Sequence, residues 1–137
     1  MIKVLYGGRG EGMSRELCDM ANTKMRAAKG SVVFIDKDDK HIYDLDSGIR
    51  LINAGEYSIE GPKMFSGFIS GIAAQDFDLE AIFVCSFMKL VRHPIASLEG
   101  LFSFFESFSV KRGVDFVLEI NTDEECPEFI KNYLAEK

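Results

Sequence analysis

The chain is short of several things, and each shortage removes a class of protein. Its three cysteines, Cys18, Cys85 and Cys126, are odd in number and far apart. No C-x-x-C or Cys/His cluster is visible, so neither a disulfide framework nor a zinc site is expected. There are two histidines, His41 and His93, and neither stands in a pattern with a carboxylate and a nucleophile, which leaves a hydrolase triad without support. Positive charge is scarce as well: 16 Lys and Arg against 22 Asp and Glu give a formal charge of −6. A nucleic-acid binder usually shows a basic face, so that class is disfavoured. The longest apolar stretch, "MFSGFISGIAA", is broken by Ser and Gly and is too short to span a bilayer. Met1 is followed at once by the strand-like "IKVLY", without a basic leader region or cleavage site, so no signal peptide is expected and the expected address is the cytoplasm.

What is present is globular. A chain of 137 residues, 47% hydrophobic and 28% charged, is long enough to build one core without metals or disulfides, and one domain over 1–137 is expected. Short β-branched or apolar runs alternate with longer amphipathic segments, the pattern of βαβ units and a mostly parallel sheet. Strands are predicted at 2–6, 31–36, 49–54, 80–86 and 115–121, and helices at about 14–28, 61–75, 97–112 and 124–135. Residues 37–48 read as a polar connection. Ser97 is the candidate N-cap of the third helix and Gly113 its stop, while Thr122 or Asp123 would cap the last helix. Leu98, Leu101, Phe102, Phe105 and Phe108 make one helical stripe. Phe104 falls off it, as second-layer packing or as a partner surface.

The chemistry is concentrated in "YGGRGEGMSREL", where Gly7, Gly12 and Ser14 fit the phosphate-loop pattern G-x-x-x-x-G-K-[ST] in every position but one. A buried strand, a glycine-rich turn and a helix start follow in the order an anion nest needs. Gly7, Gly8, Gly10 and Gly12 let backbone amides approach a phosphate, and the helix N-terminus adds partial positive charge. Ser14 is the candidate ligand of Mg²⁺. Met13 stands where the lysine should be and carries neither charge nor donor, and Glu11 places a negative charge inside the loop. Arg9 is the cation nearest to hand, although a planar guanidinium does not simply replace an ammonium. The nucleotide- or phosphate-binding candidates are therefore Gly7, Gly8, Arg9, Gly10, Glu11, Gly12, Met13 and Ser14.

With that loop placed, most of the chain resembles the nucleotide core of the RecA-type P-loop ATPases. It is also similar to a group of short, uncharacterised bacterial P-loop proteins, some labelled ATP-binding. "VVFIDKDD" resembles the family's second strand, whose catalytic glutamate comes two residues after an aspartate; the matching residue is Asp38, the catalytic candidate. "AIFVCS" sits where the family has its Walker B strand: Ser86 matches, but the aspartate is Cys85. "FVLEINT" resembles the sensor strand, with Asn121 and Thr122 at the two polar positions, and "KLVRHP" (Lys89, Arg92, His93) falls where the family has a nucleic-acid-contacting loop.

The resemblance implies a three-layer α/β/α sandwich around a five-stranded parallel sheet in the order 3-2-4-5-1, with right-handed crossovers. It also implies ATP or ADP with Mg²⁺ as the ligand to test. The lysine and the Walker B aspartate are lost together, and phosphoryl transfer depends on the electrostatics they supply. The expectation is a degenerate P-loop protein without NTP hydrolysis, binding nucleotide or phosphate weakly or acting through a protein partner or self-association. Two alternatives stay open. One is an ATP-binding protein or weak ATPase in which Arg9, Asp36 and Asp38 replace the lost groups, with Ser14 and Asp36 on the metal. The other is a pure interaction scaffold. Asp36, Asp38 and Asp39 equally read as a solvated turn with Lys37 and Lys40.

Overall fold

The computed structural model describes residues 1–8 and 12–135. Five strands, β1 (Ile2–Gly7), β2 (Ser31–Asp36), β3 (Arg50–Asn53), β4 (Leu79–Val84) and β5 (Asp115–Asn121), form one sheet in the order β3-β2-β4-β5-β1. Every neighbouring pair is parallel, so the expected order and the parallel sheet are both found. The helices are α1 (Met13–Ala27), α2 (Gly61–Ala74), α3 (Phe87–Val91), α4 (Glu99–Arg112) and α5 (Glu128–Lys131). Among the described residues no helix is long and apolar enough to cross a membrane.

The two faces of the sheet are covered unequally. Alternation along each strand sends Val33, Ile35, Ile82, Val84, Phe116 and Leu118 to one side, where they pack with α2, α3, α4 and α5. Val32, Phe34, Ala81, Phe83, Cys85 and Val117 face the other side, where α1 contributes Met13, Leu17, Cys18 and Ala21. Those four positions recur at helical spacing, which is why α1 can lie flat on the sheet. On the thicker side Phe105, fully buried, is ringed by Phe65, Phe87, Phe102, Phe104 and Phe116 at centroid distances of 5.1–6.2 Å. Phe104 is half-buried, and its ring lies 5.4 Å from that of Phe108, so it serves as second-layer packing.

Three local expectations are corrected. Ser97 does not cap α4: it ends a 3-10 turn (Ile95–Ser97), and its hydroxyl donates to the Pro94 carbonyl at 2.6 Å. The cap position belongs to Leu98, which offers no side-chain bond. The connection after β4 also contains the short helix α3, hidden in the sequence because Arg92 ends it in the left-handed region (φ 59°) without a glycine. The last helix is four residues rather than twelve and starts after Pro127, with neither Thr122 nor Asp123 as its cap. Proline disfavours helical backbone at the residue before it, which stops any helix from running through Cys126. The chain beyond α5 instead returns to the edge of the sheet: Val4 donates to the Tyr133 carbonyl at 2.8 Å, and Ala135 donates to that of Val4 at 3.0 Å. Gly113 does end α4, at φ 66°.

The aromatic cluster gives a direct test. Phe105→Ala should lower stability by about 3–5 kcal/mol, as for a large ring removed from a close-packed core, measured by urea denaturation at constant m-value. A loss under about 1 kcal/mol would contradict the packing described.

Candidate functional site

The C-terminal ends of the strands meet the N-terminus of α1 along one row of the sheet. Ile35 pairs with Val84 and Val84 with Leu118, so the next residue on each strand (Asp36, Cys85, Glu119) continues a single line across β2, β4 and β5. Leu5 of β1 pairs with Glu119 and Asn53 of β3 with Asp36, completing the row. Asp36, Cys85 and Glu119 share the parity of Phe34, Phe83 and Val117, which places all three on the α1 face. Each is fully buried.

Glu119 is the hub. Its Oε2 accepts from the Ser14 hydroxyl at 2.5 Å, and its Oε1 accepts from the Ser86 amide at 3.1 Å and the Asn121 side-chain amide at 2.9 Å. The Cys85 thiol donates weakly to Oε1 at 3.6 Å and to the Ser14 hydroxyl at 3.8 Å. Burial, then the Asp36 and Glu119 carboxylates, push that thiol well above its ordinary pKa, which keeps it protonated and poorly nucleophilic. Ser86 sits in the left-handed region (φ 58°) with no glycine to ease it. Its carbonyl accepts from the Lys89 and Leu90 amides, so strand end and α3 are joined at a strained residue.

Asp36 is different. Its Oδ1 accepts from the Lys37 amide at 2.7 Å, but its buried Oδ2 has no hydrogen-bond partner among the described residues. Burial raises the pKa of this carboxyl above the ordinary value of 3.8. The salt bridges among the described residues involve Asp115, Glu80, Asp44 and Glu128 rather than Asp36 or Glu119.

The other predicted residues divide clearly. Gly12, at φ 71°, is the residue before α1. Met13 is 8% exposed and belongs to the apolar cluster beneath that helix. Gly7 ends β1 and its carbonyl accepts from the Thr122 amide at 2.9 Å. A Cβ on Gly8 would come within 2.8 Å of the Asp123 carboxylate, so a further anion borders the loop. Arg9, Gly10 and Glu11 lie outside the described residues. Asp38 is spent on a local turn, accepting from the Lys40 amide at 3.1 Å, and Asp39 and Lys40 are exposed. The solvated-turn reading therefore holds for 38–40 and fails for Asp36, which points inward from the last residue of a buried strand. Asn121 reaches Glu119, whereas the Thr122 hydroxyl accepts from the Glu124 amide. His93 binds the Val91 carbonyl and Arg92 that of Lys89, local contacts within the connection.

Sequence reasoning missed Glu119 and His41. A charged residue in the apolar run of a seven-residue strand, at its fifth position, was the available signal for Glu119. His41 had none, because tertiary folding alone brings it toward the strand ends, where one donor atom each from Asp36, His41 and Cys85 lies within 4.8 Å of the others. The proximity of Cys85 and His41 is therefore made by the fold and is not visible in the spacing of the sequence.

The five-stranded parallel sheet in this order, with helices on both faces, is an α/β sandwich of RecA-like fold. No protein-family model matches the chain, and no curated protein matches it significantly. Among solved structures it is similar to the flagellar accessory protein FlaH from Methanocaldococcus jannaschii, with a TM-score of 0.61 and 15% identity over 96% of this chain. The chain spans 65% of the length of that structure, and likeness at this identity is likeness of fold.

The hub makes a specific demand on Ser14. Ser14→Ala removes a donor from a buried carboxylate and should cost about 1–3 kcal/mol in chemical denaturation, while Ser14→Thr, which keeps the hydroxyl, should cost clearly less. Equal losses in both variants would show that the hydroxyl is not what Glu119 needs.

Proposed function

We propose that this chain is a degenerate P-loop protein. It keeps the RecA-like frame, does not hydrolyse nucleoside triphosphates, and binds nucleotide weakly or acts through protein contacts. The observation that carries this reading is the charge of the strand-end row. A triphosphate needs a cation at the helix start and a carboxylate beyond it to hold the metal's water. Here the helix start is Met13, packed into the apolar cluster, and the row behind it holds two buried carboxylates, Asp36 and Glu119. With no cation at the helix start to offset it, phosphates brought to that edge would face the buried Glu119 carboxylate at low dielectric, where repulsion is strongest.

The contact with Ser14 favours one second reading. Glu119 is bonded to Ser14, the residue that would ligate Mg²⁺, and so offers from β5 a carboxylate that β4 lacks at Cys85. In an active protein this pair would hold Mg²⁺, and the metal would supply charge neutralisation for the phosphates. Ser14 and Glu119 fit such a hard, oxygen-binding ion by donor type. The lysine's role would then fall to Arg9.

Calorimetric titration of MgATP and MgADP separates the two. Native protein should show no micromolar binding and no ATP turnover. Micromolar binding by native protein, abolished in Glu119→Gln, would overturn the degenerate reading in favour of the second. In a Met13→Lys variant, binding that appears where the native protein has none would show that one side chain closed the pocket.

A further inference from the structure

We propose that Asp36, His41 and Cys85 form a binding site for a divalent transition metal of the zinc class, at the ends of β2 and β4. Oxygen, nitrogen and sulfur donors, one from each residue, already lie within 4.8 Å of one another. In a tetrahedral zinc site with bonds of 2.0–2.3 Å the donors are roughly 3.5 Å apart. Closure therefore takes about an ångström of side-chain movement. Asp36 and Cys85 are fixed next to each other on neighbouring strands, with the Cys85 amide donating to the Ile35 carbonyl at 2.8 Å. His41 comes from the turn-rich 37–49 connection, which can supply the adjustment.

Two buried, unpartnered atoms point to a cation there. Asp36 is fully buried and its Oδ2 has no hydrogen-bond partner among the described residues, and the same is true of the buried His41 Nε2. Orphaned polar atoms are rare in protein interiors and each calls for an explanation. Two of them beside a thiol have a common one. His41 is also prepared as a ligand: its Nδ1 lies 3.0 Å from the Asp44 carboxylate. A proton on Nδ1 leaves the Nε2 lone pair for a metal, the carboxylate–histidine–metal relay that orients imidazole ligands in metalloproteins. The Phe34 ring meets the imidazole in a T-shaped contact, with centroids 6.4 Å apart.

The donor set selects the ion. Mg²⁺ and Ca²⁺ take oxygen ligands, whereas a thiolate with an imidazole and a carboxylate suits Zn²⁺ and its spectroscopic substitute Co²⁺. Binding breaks the Cys85 S–H bond, forms a sulfur–metal bond and releases the proton to solvent, with no change in oxidation state. Three protein ligands leave a fourth position for water. The ligand set does not include Ser14, although Cys85 borders both Ser14 and Glu119 in the same strand-end row.

The test is titration of Co²⁺ into the full, reduced, chelator-treated protein, followed by absorbance. One equivalent should bind with a thiolate-to-cobalt charge-transfer band and strong tetrahedral d–d bands, all bleached by one equivalent of Zn²⁺. Cys85→Ser should lose the charge-transfer band, while Cys18→Ser and Cys126→Ser keep it. His41→Ala, a change in a connecting segment that should fold whatever the fate of Cys85→Ser, should weaken binding at least about tenfold. The proposal is overturned if native protein gives no thiolate band, if the band survives Cys85→Ser, or if His41→Ala binds with native affinity.

Discussion

A single buried carboxylate organises the working edge of this protein. Glu119 sits two residues before the end of β5, and its two oxygens gather the first turn of α1 through Ser14, the start of α3 through the Ser86 amide, and the end of its own strand through Asn121. These lie where the chain leaves β1, β4 and β5 at one edge of the sheet. A buried charge is tolerated only when its lone pairs are filled, and here they are filled by groups from three separate elements. The constraint runs in both directions: the carboxylate needs those donors, and the donors are held in place by the carboxylate. The left-handed backbone of Ser86 is one consequence, since its amide must turn inward to reach Glu119.

The same edge explains how a fold associated with phosphate chemistry can persist without its signature charges. Parallel strands deliver side chains of one parity to the crevice beneath α1, whatever those side chains are. In this chain they are Asp36, Cys85 and Glu119, beside an apolar Met13. An internal carboxylate, Glu119, already lies at the first turn of α1, bonded to the Ser14 hydroxyl. The frame is kept by the large apolar surfaces on both sides of the sheet, and the aromatic cluster around Phe105 owes nothing to the loop.

Much of the frame was legible in the sequence because it depends on period and punctuation. "SVVFID" could only be a buried strand, Gly113 marks the end of α4 where it was expected, and alternation of strands and helices implied the parallel sheet. The errors fall where local signals compete with longer-range ones. Ser97 looks like a cap but bonds back to Pro94. The acidic start of the supposed last helix was persuasive, yet Pro127 breaks it and the chain end joins the sheet edge. The site was half legible. Met13 and Cys85 announced two losses, and Asp36 was recognised as the end of its strand. Glu119, the carboxylate that binds Ser14, was hidden because its neighbour in space, Cys85, is 34 residues away in sequence. His41 looked like part of a polar loop until the fold turned its ring toward the strand ends.

Ser14 and Glu119 hydrogen-bond to each other at the start of α1. A crystal structure of the native protein grown with millimolar Mg²⁺ and a non-hydrolysable ATP analogue tests most directly whether that bond stands in place of a nucleotide's metal. The expected result is an intact Ser14–Glu119 hydrogen bond and no triphosphate between Gly8 and Ser14. A triphosphate seated on the loop, with Mg²⁺ held between Ser14 and Glu119, would contradict it.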